Sequence, residues 1–151
     1  MINLEDSLTI AQQIDIHAPR LRVWEVLSDL AAYHHWSPNL RVDAGPPDLE
    51  IGAKAQLLAS PDTPHERRFT VEIIQVSSPA FLAWRGGESS VFQGIHRFEI
   101  QEQGRNQTRL LNTESFSGEM ATTILQMSRT VLEAEFSAFN EALKRRVEAI
   151  A

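Results

Sequence analysis

The part of this sequence that most restricts its fold is the stretch after Gly118. Met120, Ile124, Met127 and Val131 recur at intervals of four, three and four residues. Leu125, Leu132, Phe136, Phe139, Leu143 and Val147 form a neighbouring stripe. That period belongs to an amphipathic helix. No proline or glycine interrupts it, so it reads as one helix of more than 25 residues. Such a helix far exceeds the usual length of about 10–14 residues and must lie along something equally long.

The upstream sequence supplies that partner. Residues 8–16 alternate, with Leu8, Ile10, Gln12, Ile14 and Ile16 on one face, and period two predicts a strand. Pro19 suits the first turn of a helix. Val23, Trp24, Leu27, Leu30 and Ala31 then follow at helical spacing, as one short helix or two broken near Ser28 and Asp29, ending by Ser37 and Pro38. Strands are predicted near 40–42 and at 53–59, 67–76, 81–85, 90–101 and 108–117. The turns between them fall at 61–64, 77–79, 86–87 and 104–106. Strands and helices do not alternate, which argues against a parallel sheet. Successive strands joined by tight turns form an antiparallel meander. The expected fold is therefore α+β: a curved antiparallel sheet of about six to seven strands around a long C-terminal helix, with two short helices after the first strand. Residues 1–151 are expected to form one domain.

Composition narrows the function. The chain has no cysteine, which excludes disulfides, thiolate metal sites and a cysteine nucleophile. Net charge is −6. The densest basic cluster, Lys144, Arg145 and Arg146, sits near a helix C-terminus, where cations complement the dipole; nucleic acid is not an expected partner. The first six residues carry two acids and no basic segment, so no secretory signal is expected. No apolar run approaches the ~20 residues of a membrane span, and a cytoplasmic location is expected. The five histidines show no metal-ligand spacing, so no metal is expected. No phosphate-cradling loop, dinucleotide fingerprint or serine elbow occurs, and no cofactor is expected.

The last two strands place polar groups on an apolar phase. Phe92, Gly94, His96, Phe98 and Ile100 share one phase, and Leu110, Asn112, Glu114 and Phe116 share the matching one. A buried polar group without a partner costs about 1–3 kcal/mol. His96, Asn112 and Glu114 therefore call for one another, for water or for a ligand. Three readings stand: a cavity lining, a satisfied structural network, or an exposed Glu114 after a one-residue slip. Tyr33 to Trp36 reads either as an aromatic lid or as a surface loop.

Several segments together resemble the START/Bet v-like superfamily, also called SRPBCC, in its polyketide cyclase/dehydrase-like branch. They are Ile14-Asp15-Ile16-His17-Ala18-Pro19 followed by Val23-Trp24-Glu25-Val26-Leu27-Ser28-Asp29, then Tyr33-His34-His35-Trp36-Ser37-Pro38, and Pro79 to Gly86. Gly94 to Ile100 and Thr108 to Gly118 complete the set, which spans about residues 8–147. Asn112 stands where many relatives have histidine, which weakens an acid–base role at that position. The resemblance implies a cavity between sheet and long helix that holds a hydrophobic molecule. Its walls would be Trp36, Phe69, Val71, Trp84, Phe92, Phe98, Phe116, Met120, Ile124 and Met127, with His96, Asn112 and Glu114 at the polar end.

Three functions fit. The first is a binder of a small hydrophobic or amphiphilic molecule: lipid, polyketide or aromatic. The second is a cyclase- or aromatase-like enzyme, with His96 as acid–base and Glu114 as base. The third is a protein-interaction module, which would need an exposed apolar patch; the loop from Gly45 to Leu49 is its candidate. A monomer or weak homodimer is expected.

Overall fold

The computed structural model describes residues 8–150, so the expectation of no secretory signal in the first six residues lies outside it. Seven strands form one antiparallel sheet in the order β1-β7-β6-β5-β4-β3-β2. They are β1 (Thr9–Ile16), β2 (Leu40–Ala44), β3 (Lys54–Ala59), β4 (Arg67–Ser77), β5 (Phe81–Glu88), β6 (Phe92–Gly104) and β7 (Gln107–Ser117). Between β1 and β2 lie α1 (Arg20–Leu27) and a 3-10 helix (Leu30–His35). The chain ends on α2 (Ala121–Ala149). This is a helix-grip fold: the sheet curls and the long helix fills its concave side.

The meander closes because β1, first in sequence, pairs with β7, last in sequence, from Thr9 opposite Ser115 to Ile16 opposite Thr108. Register shifts between Val42 and Ala44, Ile73 and Gln75, and Glu102 and Gly104 are bulges, which bend strands and deepen twist. Alternation along β6 and β7 came out as the sequence implied. Gly94, His96, Phe98, Ile100, Leu110, Asn112 and Phe116 are buried, and Glu114 is half-buried among them.

One turn is displaced from its expected place. Gly86 and Gly87 do not end β5; they pair with Gly94 and Gln93 inside the ladder, and the chain reverses after Glu88. Glycine is needed at 87 because φ is 88° and a Cβ there would meet the Phe92 carbonyl oxygen at 2.1 Å.

The two halves of α2 do different work. Phe139, Leu143 and Val147 enter the main core with Leu27, Tyr33, Ile73, Leu82, Trp84, Phe98 and Leu110. Toward the N-terminus, Ala121, Leu125 and Phe136 join a smaller cluster with Ile10 and Phe116. The other stripe of the N-terminal half, Ile124, Met127 and Val131, is not packed into either cluster. α2 lies against β1, β7 and α1. Opposite the central strands a gap remains.

Candidate ligand-binding site

The gap holds two cavities. The outer one is about 540 Å³ and is bounded by Phe69, Val71, Phe92 and Phe116 of the sheet and by Ile124, Met127, Val131 and Leu132 of α2. Its floor includes Gly86, Gly87 and Gly94. Gly86 and Gly94 face each other across the ladder and raise no side chain of their own, which leaves room for Glu114 and Phe116 to lean over Gly94. The inner cavity is about 60 Å³, lined by Leu57, Trp84, His96, Phe98, Asn112, Phe136 and Phe139 among others. Arg67, Phe69, Glu114 and Leu132 border both.

Glu114 sits at the partition because β6 and β7 pair His96 with Glu114 and Gly94 with Phe116. The Glu114 carboxyl leans over Gly94: a Cβ at 94 would lie 2.2 Å from Oε2. Glu114 Oε1 stands 3.6 Å from His96 Nδ1, with the two side chains 18% and 10% exposed. Burial pushes the Glu114 carboxyl up to about 8, against the pull of Arg67 and with the added push of Glu135. Burial pushes His96 down to about 4, though its hydrogen bond to Asn112 works the other way. At neutral pH the pair is therefore an uncharged acid beside an uncharged imidazole.

A polar chain runs from His96 into α2. His96 Nε2 lies 2.5 Å from Asn112 Oδ1, and Asn112 Nδ2 donates to Asn140 Oδ1 at 2.9 Å. Asn140 Nδ2 has no partner among the described residues. The imidazole is held between rings, stacked on Phe98 at 4.6 Å and tilted against Phe136 at 4.7 Å and Trp84 at 5.5 Å.

A second polar group spans the gap. Arg67 of β4 donates two hydrogen bonds to Glu135 of α2, at 2.9 and 2.7 Å, and the Ser60 hydroxyl donates to the same carboxylate. Burial alone would raise the Glu135 pKa. The hydrogen bonds from Arg67 and Ser60 outweigh it, and the carboxyl stays below its usual range. Arg67 is thereby committed, and no hydrogen bond joins it to Glu114.

The residues expected at the site divide as follows. Phe69, Val71, Phe92, Glu114, Phe116, Ile124 and Met127 border the outer cavity, and Phe69, Trp84, His96, Phe98, Asn112 and Glu114 border the inner one. Trp36 and Met120 border neither. Trp36 packs edge-on to Tyr33 at 4.9 Å and tilted against Phe139 at 5.3 Å, one layer behind the inner wall. Met120 precedes α2, its backbone N–H bonded to the Val91 carbonyl and its side chain 41% exposed. Met127 borders the outer cavity from the rim, 81% exposed. Tyr33 is buried and donates to the Leu27 carbonyl, so it belongs to the core; His34 and His35 are exposed.

Arg67, Glu135, Ser60 and Asn140 were not singled out from the sequence. Ser60, Glu135 and Asn140 meet their partners only through the fold, and nothing in their local pattern marks them. Gly94 could have been found, since a glycine on the inward phase of a long strand marks a close approach.

Among the described residues no group of three or more histidines, aspartates or glutamates could hold a metal, and no helix is long and apolar enough to cross a membrane.

A curled seven-stranded antiparallel sheet gripping a C-terminal helix is the SRPBCC-type fold of the START superfamily. The model for the polyketide cyclase / dehydrase and lipid transport family matches residues 7–148, and the chain belongs to that family. Among solved structures it is similar to the Zhui aromatase/cyclase from Streptomyces sp. R1128, with 19% identity, a TM-score of 0.71 and 93% of each chain covered. It is also similar to norcoclaurine synthase from Thalictrum flavum, solved with dopamine and hydroxybenzaldehyde, with 13% identity, a TM-score of 0.66 and coverage of 93% and 86%. A START superfamily protein from Mycobacterium smegmatis matches at 18% identity and a TM-score of 0.64, over 95% and 99%. At these identities the likeness is one of fold. Among curated protein sequences none matches the chain at a significant level.

Proposed function

We propose that this chain binds one small amphiphilic molecule in the joined cavities. The apolar body would occupy the outer cavity, against Phe69, Val71, Phe92, Phe116, Ile124 and Met127. The polar end would reach Glu114, His96 and Asn112. One observation carries the reading: a half-buried carboxyl with no hydrogen-bond partner among the described residues stands where a 540 Å³ apolar cavity meets a small polar one. That volume is within the ~300–1,000 Å³ of small-molecule sites, which combine apolar walls with a few convergent polar groups. Membership of a family described by polyketide cyclases, dehydrases and lipid transport supports the same class of ligand.

Native mass spectrometry of freshly purified protein, beside its denatured extract, tests this. A co-purified molecule lost on denaturation is the expected result. No such molecule, together with no thermal shift across a panel of lipids and aromatics, would count decisively against it.

One feature favours a second reading, catalysis on the bound molecule. An uncharged acid and an uncharged imidazole 3.6 Å apart can exchange a proton with a substrate between them. In that reading His96 and Glu114 are the acid–base groups. Once a substrate is found, Glu114→Gln that turns it over at the wild-type rate removes Glu114 from the mechanism.

A further inference from the structure

The polar chain from His96 to Asn140 has a direction, and that direction decides what the inner cavity can recognise. Asn112 Nδ2 donates to Asn140 Oδ1, which turns Asn112 Oδ1 toward His96. His96 Nε2 faces that oxygen at 2.5 Å, closer than an ordinary N–H···O bond, and because an amide oxygen only accepts, the donor of the pair is Nε2. The imidazole proton therefore sits on Nε2, and Nδ1 keeps its lone pair. Nδ1 is the nitrogen that faces Glu114, 3.6 Å from Oε1. That is too long for a direct hydrogen bond, yet a single oxygen can lie within bonding distance of both groups.

Resting on the ligand-binding reading above, we propose that the inner cavity is a hydroxyl-recognition pocket. The ligand is an uncharged phenol or alcohol whose O–H donates to His96 Nδ1 and whose oxygen accepts from the Glu114 carboxyl. Asn112 and Asn140 are positioning residues that hold His96 in the Nε2–H tautomer.

The surroundings agree with that choice. The inner cavity, about 60 Å³, exceeds the ~10–15 Å³ that one water-sized group needs, so it admits a hydroxyl. Arg67 is paired twice with Glu135, so it offers no free cation to a carboxylate ligand. A ligand carboxylate has no proton to give His96 Nδ1 and would leave that nitrogen unpaired. A ketone or ether can accept from Glu114 but leaves Nδ1 unpaired, and unpaired buried polar groups are what make a hydrogen-bonding site selective.

Three probes on one ring system separate the terms: 1-naphthol donates and accepts, 1-methoxynaphthalene only accepts, and naphthalene does neither. Calorimetry on the full chain should show 1-naphthol binding at least tenfold tighter than 1-methoxynaphthalene. Long-range proton–nitrogen NMR of histidine-labelled protein at pH 7 should show Nε2 protonated and Nδ1 bare, with the Nδ1 resonance moving when 1-naphthol binds. Asn140→Leu should bring the naphthol-to-methoxynaphthalene ratio close to one and leave naphthalene binding unchanged, an effect that simple loosening of the fold does not produce. Equal binding of all three probes overturns hydroxyl recognition and leaves the cavity reading standing. A proton on Nδ1 overturns the tautomer assignment and the proposal with it. An unchanged ratio in Asn140→Leu overturns the positioning role. Binding of none of the probes overturns the cavity reading itself.

Discussion

Glu114 shows how one buried group sets the pH response of the molecule. In the native state it keeps its proton to about pH 8, whereas an unfolded glutamate titrates at 4.5. The native state therefore binds more protons across that window, and stability falls as pH rises through it. His96 acts in the opposite sense. Unfolded imidazole charges below 6.5 and the native one only near 4, so stability rises with pH from 4 to 6.5. The two slopes offset each other at lower pH, and from 6.5 to 8 only the Glu114 slope remains. At ~1.36 kcal/mol per unit, the wild type loses up to about 2 kcal/mol over that interval. Glu114→Gln should flatten the loss, as urea unfolding at the two pH values reads directly; an equal loss in the variant would assign it to other groups. Gly94→Ala makes a second test of the same carboxyl. Its Cβ would meet Glu114 Oε2 at 2.2 Å and Phe116 Cε1 at 3.1 Å. We expect it to cost about 1–3 kcal/mol, as overpacking does, and to weaken the pH slope as the carboxyl is pushed toward water; a slope unchanged from wild type would sink that account. The inward phase of His96, Asn112 and Glu114 was legible in the sequence because strand alternation is strict and apolar residues bound both runs. The pairing of Arg67 with Glu135, or of Asn112 with Asn140, was not. Those residues are 68 and 28 positions apart, and only the curl of the sheet onto α2 brings them together.

α2 carries two apolar stripes, and their periodicity alone could not say that they do different work; only the family resemblance set Met120, Ile124 and Met127 apart as cavity wall. Both have the same period, so both read as buried. Leu143 is fully buried in the main core, while Met127 stands 81% exposed at the rim of the outer cavity. A stripe facing a cavity and a stripe facing a core leave the same trace in a sequence, because periodicity reports a face and not what fills the space before it. The distinction has an energetic consequence. Leu143→Ala should destabilise the fold by about 2–5 kcal/mol, the usual cost of truncating a buried leucine. Met127→Ser should change stability by no more than about 0.5 kcal/mol, as exposed positions do. Chemical denaturation of the two variants measures both. A loss above 1 kcal/mol for Met127→Ser would mean that the stripe packs as core after all. The displaced turn in β5 has a similar cause. Two adjacent glycines read as a reversal, yet here they keep side chains out of the cavity floor and let β5 run on beside β6.

At the scale of the whole molecule, the grip is lopsided. α2 lies on β1, β7 and α1, while the charged bridge from Arg67 and Ser60 to Glu135 ties its middle to the other side of the sheet, beside an open space of about 540 Å³. Ile124, Met127 and Val131 of α2 join neither apolar cluster there, and local opening concentrates where apolar contacts are few. A molecule that fills the cavity supplies the missing wall to β4, β5 and the N-terminal half of α2 at once. Ligand at a hundredfold excess over Kd stabilises by about 2.7 kcal/mol, which for a chain of this size raises Tm by roughly 5–10 °C. Hydrogen exchange tells where the gain falls. Amides of residues 67–71, 86–94 and 121–135, around the outer cavity, should slow on binding, while those of Ile73, Leu82 and the C-terminal end of α2, already packed in the main core, should change little. A Tm rise without that regional slowing would place the bound molecule elsewhere on the surface. It would also separate the helix-grip fold, which stands on its own geometry, from the use of this particular gap.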